Sequence, residues 1–384
     1  MMSTIEEFVR TVRRTLHRHP ELSGKETRSS AYLQGILDER GWEIAPIPHT
    51  TSFLAYKTGR LPYTVGFRAE LDALPIHEVC REQTREYASE TPGVMHACGH
   101  DMHAALAIGL ALERDAAEGE GYPNLLLVFE SSEEVLPGGA QAILASEAFA
   151  AHRLDLMLAF HCDPDWAVGT LGIRGGQYMA SGDELWVTVH GKAAHGGLPH
   201  TGVDTLLVAA HILVALQSVV ARNVPSAESV VLSFGHVACE GRMNLIPAKV
   251  RLEGTLRTQS ETWRREAKER IATIVQHTAA AFGATASLEI REGYPPLCND
   301  QRLAERAAQL LTQHGDRVEP LGLRMTTDDF AYFAQRFPSL FLRLGVGRTG
   351  NVHLGEFCPD EGALAHGLSV LPLLVCNLWR GELK

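Results

Sequence analysis

The chain has 384 residues, 45% hydrophobic and 21% charged, the texture of an ordinary globular protein. That length exceeds the span over which one hydrophobic core keeps growing, so two domains are expected. Its 35 basic against 46 acidic residues give a net charge of −11 with no basic tract, which argues against nucleic acid as a partner.

In chain order, Ile5, Phe8, Val9, Val12 and Leu16 recur at helical spacing, and the helix stops near Pro20. This N-terminal segment is amphipathic and charged, without the apolar core or cleavage site of a secretory signal. A second helix is expected over 27–40, ending at Gly41, then strands near 52–57 and 63–69 across a Gly59–Pro62 turn. Residues 101–116 predict a helix opened by Asp101. The apolar runs 125–130 and 156–161 suit buried parallel strands, with a helix over 138–149 between them. Strands alternating with helices imply an α/β sheet covered on both faces.

Near residue 180 the texture changes. A half-exposed strand (184–190), a long helix (203–222), strands at 229–237 and 248–257, a helix (262–282) and a strand (285–291) read as an α+β unit. Helices near 301–313 and 361–379 then return to the first domain. The expected division is 1–179 and 290–384 for a catalytic domain, with 180–289 inserted. No run is read as reaching the roughly 18 apolar residues of a membrane span, so no membrane partner is expected. Seven cysteines without framework spacing fit a reducing compartment, and the expected location is cytoplasmic.

The densest chemical signal is Met95-His96-Ala97-Cys98-Gly99-His100-Asp101-Met102-His103, just before a helix. It offers thiolate, imidazole and carboxylate, the ligands that divalent transition metals prefer; alone, such a cluster is equally well structural. Glu133-Glu134 would ordinarily be a solvated loop, but it follows a buried strand, and open α/β sheets bind ligands beyond their strands' carboxyl ends. One carboxylate there can coordinate a metal while the other takes a proton from an attacking water. His161 also ends an apolar strand, as either a hydrogen-bonded core residue or a ligand. His353 lies in a glycine-flanked loop. The pattern lacks the paired C-x2-C of a structural zinc site, the H-E-x-x-H of a zincin, a G-x-S-x-G elbow and a P-loop.

Taken together, the motifs resemble the M20 metallopeptidase family, in particular its amidohydrolase branch of hippurate and auxin-conjugate hydrolases. The resemblance runs nearly end to end. It is carried by Leu16-His17-Arg18-His19-Pro20-Glu21-Leu22, the segment Arg68–Ile76, His96-Ala97-Cys98-Gly99-His100-Asp101, and Glu133-Glu134 with Gly138-Gly139-Ala140. Further on come Gly191-Lys192-Ala193-Ala194-His195, Asn244-Leu245-Ile246-Pro247, Gly254-Thr255-Leu256-Arg257 and Asp329-Phe330.

The resemblance implies a mostly parallel catalytic sheet of the zinc-exopeptidase kind, with an inserted α+β dimerisation and lid domain. It implies two divalent ions (zinc or manganese, with cobalt or nickel as alternatives) held by Cys98, His100, Glu134, His161 and His353. Glu133 would be the general base, and Asp72 would orient a ligating histidine. His195 would steady the oxyanion in a partner subunit's site, making a homodimer the expected assembly. Asn244 and Arg257 would hold the substrate carboxylate, against the plainer readings of a turn asparagine and a strand-surface arginine. The implied reaction is hydrolysis of N-acyl amino acids, N-acetyl or N-benzoyl among them. Alternatives are a dipeptidase or aminopeptidase of the same fold, a cysteine-nucleophile amidase using Cys98, and a non-catalytic binding protein.

Two segments depart from the family pattern. Glu130-Ser131-Ser132 stand where the family usually has Gln-Pro-Ala, and Glu70 replaces an aspartate. An inward-facing Glu130 would add negative charge near the ions, altering metal preference or selecting a cationic substrate.

Overall fold

The computed structural model describes residues 2–82, 84–226, 228–347 and 350–379. The chain divides into two units, Met1–Gly176 with Cys298–Gly322 and Asp329–Lys384, and Gln177–Leu297 with Leu323–Asp328.

The first unit is built on an eight-stranded sheet in the order 43–46, 53–57, 123–130, 61–70, 156–163, 339–345, 170–173, 317–320. Strands Leu61–Glu70, Pro123–Glu130, Leu156–Asp163 and Ser339–Gly345 run parallel at its centre, almost wholly buried, as their continuous apolar sequences require. The strands on either side of the Gly59–Pro62 turn are not neighbours, because Pro123–Glu130 lies between them. Strand Ser339–Gly345 was not anticipated, although Leu340-Phe341-Leu342 carries the same buried-strand signature as 156–161. Helix Met2–Arg18 buries Val9, Val12 and Leu16 in the same core as helices His100–Ala116 and Gly362–Asn377.

Local chemistry moves some boundaries. The helix expected over 138–149 is two short ones, Ala140–Ala145 and Glu147–Ala150, divided at Ser146, whose hydroxyl accepts the Phe149 N–H and so caps the second. Helix His100–Ala116 begins one residue earlier than Asp101, with Gly99 at its N-cap at φ 89°. Only glycine suits that turn, since a Cβ there would also stand 2.7 Å from Cys162 Sγ.

The second unit is a four-stranded antiparallel sheet in the order 230–239, 249–258, 181–190, 285–291. Helices Thr205–Ser218 and Glu261–Ala281 share its core, burying Val208, Ile212, Leu216, Ile271 and Val275 against Val187, Val189 and Leu252. Contrary to the sequence reading, segment Thr205–Asn223 is long and apolar enough by length and composition to cross a membrane. One face of it is used in this core, while Leu206, Leu207 and Val214 remain exposed.

Candidate metal centre

Within the first unit, the carboxyl ends of the parallel strands and the start of helix His100–Ala116 converge. Cys98 precedes the helix, His100 opens it, Glu133 and Glu134 follow strand Pro123–Glu130, and His161 sits near the end of its own strand. His353 enters from a loop at φ 63°, fixed by its N–H to the Ala97 carbonyl at 2.7 Å.

The resulting geometry has Cys98 at its middle. Its Sγ lies 3.4 Å from His161 Nε2 and 3.3 Å from His353 Nε2. His353 Nε2 is 3.1 Å, and His100 Nε2 3.9 Å, from Glu134 Oε1. Two trios of donors, Cys98-His100-His161 and Cys98-Glu134-His353, each fall within 4.8 Å of one another and share the thiol. His100 Nε2 is buried without a hydrogen-bond partner among the described residues. An orphaned imidazole nitrogen aimed at a mixed sulfur, nitrogen and oxygen cluster is what a pair of divalent cations would complete.

The electrostatics fit the same occupants. Burial opposes the charged form of His100, but Glu70, Asp72 and Glu134 outweigh it and raise its pKa to about 10. Negative potential is therefore concentrated where the free nitrogen points. Burial and the carboxylates of Glu134 and Glu133 push the Cys98 thiol well up, so a cation is needed to stabilise its thiolate. Burial, then Arg343, hold His161 well below its usual range, as the neutral imidazole that a metal requires. The alternative of a Cys98 nucleophile loses its footing here, because burial and the carboxylates of Glu134 and Glu133 keep the thiol protonated.

Side chains from distant segments hold this centre in place. Asp72 Oδ2 accepts the Glu134 N–H at 3.0 Å, and its own backbone carbonyl accepts His100 Nδ1–H at 2.9 Å. Ser131 N–H goes to Ser52 Oγ and Ser132 N–H to Glu26 Oε1, each at 2.9 Å. Gly139 and Ala140 donate to Asp329 Oδ2 at 3.0 and 3.2 Å. Sequence reasoning missed Glu26, Ser52 and Asp329 as loop supports, since each acts across a long stretch of chain.

Glu130 does not join the ligands. It is wholly buried with Arg68, which also holds Glu70 and Asp329.

Other candidate residues lie in the second unit. His195 and Asn244 are neighbours on a two-stranded ribbon that pairs Leu245 with His195, and Asn244 O accepts the Gly196 N–H at 2.8 Å. Nδ1 of His195 accepts the Gly197 N–H at 3.1 Å, leaving Nε2 to carry the proton outward. Arg257 stands apart from them on strand Lys249–Thr258, half-buried, donating to the hydroxyls of Thr255 and Thr327.

A mostly parallel α/β sheet with such a cluster at its strand ends defines a metal-dependent hydrolase. The chain belongs to the peptidase family M20/M25/M40, whose pattern matches residues 66–377, and it is an amidohydrolase requiring two divalent ions. It is 34% identical over 94% of its length to an N-acetyl-L-cysteine deacetylase of Bacillus subtilis, covering 86% of that protein. It is 34% identical over 99% of its length to an N-acetyldiaminopimelate deacetylase of a Geobacillus strain, covering all of it. Among solved structures it resembles a dinuclear metal-binding peptidase of the M20 family from Bacillus subtilis. That likeness has a TM-score of 0.84 and 28% identity, over 97% of this chain and 98% of the other.

Proposed function

We propose that the enzyme hydrolyses the amide of N-acyl amino acids, releasing a carboxylic acid and the free amino acid. Cys98, His100, Glu134, His161 and His353 would hold the two ions. The observation that carries this reading is the pair of ligand trios meeting at Cys98 with Glu133 beside Glu134. Once bound, divalent ions supply Lewis acidity, polarising the amide carbonyl and easing deprotonation of water.

The chain's own groups supply the rest. Glu133, buried and within 4.8 Å of Glu134 and His100 by its donor atom, takes the proton of the attacking water and returns it to the departing amine. Asp72 fixes both a ligand and the loop that carries the base. His195, with its proton on Nε2, offers a hydrogen bond to the developing oxyanion, in our reading from the partner of a homodimer formed through the inserted domain. Arg257 is a half-buried guanidinium whose partners are hydroxyls, which suits it to a substrate carboxylate, with Asn244 as a second polar contact. Zinc or manganese would be the resident ions, with cobalt or nickel also compatible with this donor set. The seven unpaired cysteines accord with a cytoplasmic location.

The test is a hydrolysis screen of N-acetyl, N-benzoyl and longer N-acyl amino acids beside dipeptides, with the metal varied. Turnover of the acyl amino acids well above the dipeptides supports the reading. Preference for dipeptides with a free amine overturns it in favour of a peptidase.

A further inference from the structure

The buried charges beneath the Glu133-Glu134 loop do not balance. Strands Leu61–Glu70 and Pro123–Glu130 pair in parallel so that Glu70 lies directly beside Glu130. Asp329 comes in from far along the chain, and one guanidinium, Arg68, serves all three carboxyls, none of which is exposed to solvent. Arg68 Nε reaches Glu130 Oε2 at 2.5 Å and Nη2 reaches Asp329 Oδ1 at 2.6 Å. Three carboxylates share this one guanidinium and only Glu70 has His100 acting on it as well, so the buried Glu130–Asp329 pair is short of positive charge and a retained proton would balance it.

The hydrogen bonds say where. His103 cannot hold it: Nε2 accepts the Cys162 N–H at 2.9 Å, so the ring is neutral and donates from Nδ1 to Glu70 Oε2 at 2.8 Å. Glu70 thus receives donors on both oxygens. Asp329 does too, from Arg68 on Oδ1 and from Gly139 and Ala140 on Oδ2. Of the oxygens of these three carboxyls, Glu130 Oε1 alone receives no donor among the described residues. It packs under the loop, where a Cβ on Gly139 would stand 3.2 Å from it, and Arg68 holds its carboxyl beside that of Asp329.

We infer that Glu130 is a neutral carboxylic acid whose own proton bridges to Asp329, closing the two ends of the loop that carries Glu133 and Glu134. Glu130 is then a positioning residue: it ends the strand that enters the loop, while Asp329 grips Gly139 and Ala140 where the chain leaves it. Burial and the Asp329 charge hold its proton well above the usual carboxylate range, and Arg68 opposes this without prevailing. The other charges facing the pair are Glu70 beside Glu130, and Asp72 and Glu133 near Asp329. These three are acidic and favour retention of the proton, while His100 offsets Glu70 in part.

The sign of the consequence is distinctive. An acid whose folded-state pKa is raised stabilises the fold most below its unfolded value, roughly 4.3, and that contribution is lost as pH rises toward the folded value. Glu130→Gln keeps the shape and the donor and removes the proton equilibrium.

The experiment compares wild type, Glu130→Gln and Glu130→Leu as metal-loaded enzymes. Wild type should show the infrared carbonyl band of a protonated carboxyl persisting at neutral pH, absent from Glu130→Gln. The unfolding temperature of Glu130→Gln should match wild type near or below about pH 4 and exceed it increasingly as pH rises. Glu130→Gln should retain kcat, whereas Glu130→Leu loses it by on the order of a hundredfold with little change in KM, since a loop displaced by about 1 Å costs that much. A wild type without the band, or a Glu130→Gln enzyme that is less stable at pH 8 or as impaired as Glu130→Leu, overturns the inference. Its catalytic part rests on Glu133 being the base. An active Glu133→Gln enzyme would refute that role while leaving the infrared and stability results to decide the protonation.

Discussion

His100 and Asp72 are joined twice: Nδ1 of His100 meets the backbone carbonyl of Asp72 at 2.9 Å and lies 3.2 Å from its carboxylate Oδ1. Because Asp72 Oδ2 also takes the Glu134 N–H, one buried carboxylate orients two of the proposed ligands. Asp72→Ala should weaken metal retention by about 10–100-fold, measured as metal content after dialysis against graded chelator. Unchanged retention would remove Asp72 from the centre.

Glu133 and Glu134 are adjacent, and their replacement should separate cleanly. Glu133→Gln keeps the full metal content yet lowers kcat by about 10² to 10⁴, the typical worth of general acid–base catalysis. Glu134→Gln instead lowers metal content. Single-turnover rates and elemental analysis on the same samples check both outcomes.

Metal binding should release protons. His100, raised to about 10, is protonated at neutral pH without a cation, and burial with Glu134 and Glu133 keeps the Cys98 thiol protonated as well. Both protons must leave for the cations to bind, so apparent affinity rises with pH across the neutral range. Calorimetric titration in buffers of different ionisation enthalpy reads the released protons directly. A pH-independent affinity would contradict these assignments.

The N-terminal helix contributes to acid sensitivity. Arg13, fully buried, donates to Asp101 Oδ2 at 2.9 Å, as does His17. Burial favours the neutral form of Asp101, but Arg13 and then His17 outweigh it and hold its pKa well below the usual range. A depressed carboxyl contributes stability that is present above about pH 4 and lost as pH falls below it. Asp101→Asn should cost roughly 3–5 kcal/mol at pH 7, because it leaves the Arg13 charge buried and only partly compensated, and should flatten the acid limb of the stability curve.

Much of the centre was legible in the sequence because its signals are local. Cys98 and His100 sit in one dense motif, and Glu134 and His161 each follow an apolar run that reads as a buried strand. His353 carried no local signal and was tied to the others by the family pattern alone. The meaning of Glu70 and Glu130 was not legible, since it depends on the parallel register that sets them side by side and on Asp329, which approaches from a distant segment. Register between strands separated by a helical crossover is fixed by packing, which a linear reading of two acidic residues does not contain. The sequence therefore offers Glu130 as a charge near the ions only if it faces inward, and the structure holds it with Arg68 in the interior.

Arg257 tests the substrate. A charge-assisted hydrogen bond is worth about 1.5–3 kcal/mol, so Arg257→Ala should lower kcat/KM for N-acyl amino acids roughly 10–100-fold. The same change should leave the corresponding N-acyl amino amides, which lack the carboxylate, nearly unaffected. Equal losses on both substrates would assign Arg257 to the fold.

The most direct test of the account is metal content measured together with activity on one preparation. The enzyme should hold two divalent ions per chain, lose N-acyl amino acid hydrolysis when they are chelated, and regain it when they are restored. Cys98→Ala should fall below two ions and lose activity in parallel. Full activity in the metal-free protein, or two ions and normal turnover without the Cys98 thiol, would contradict it.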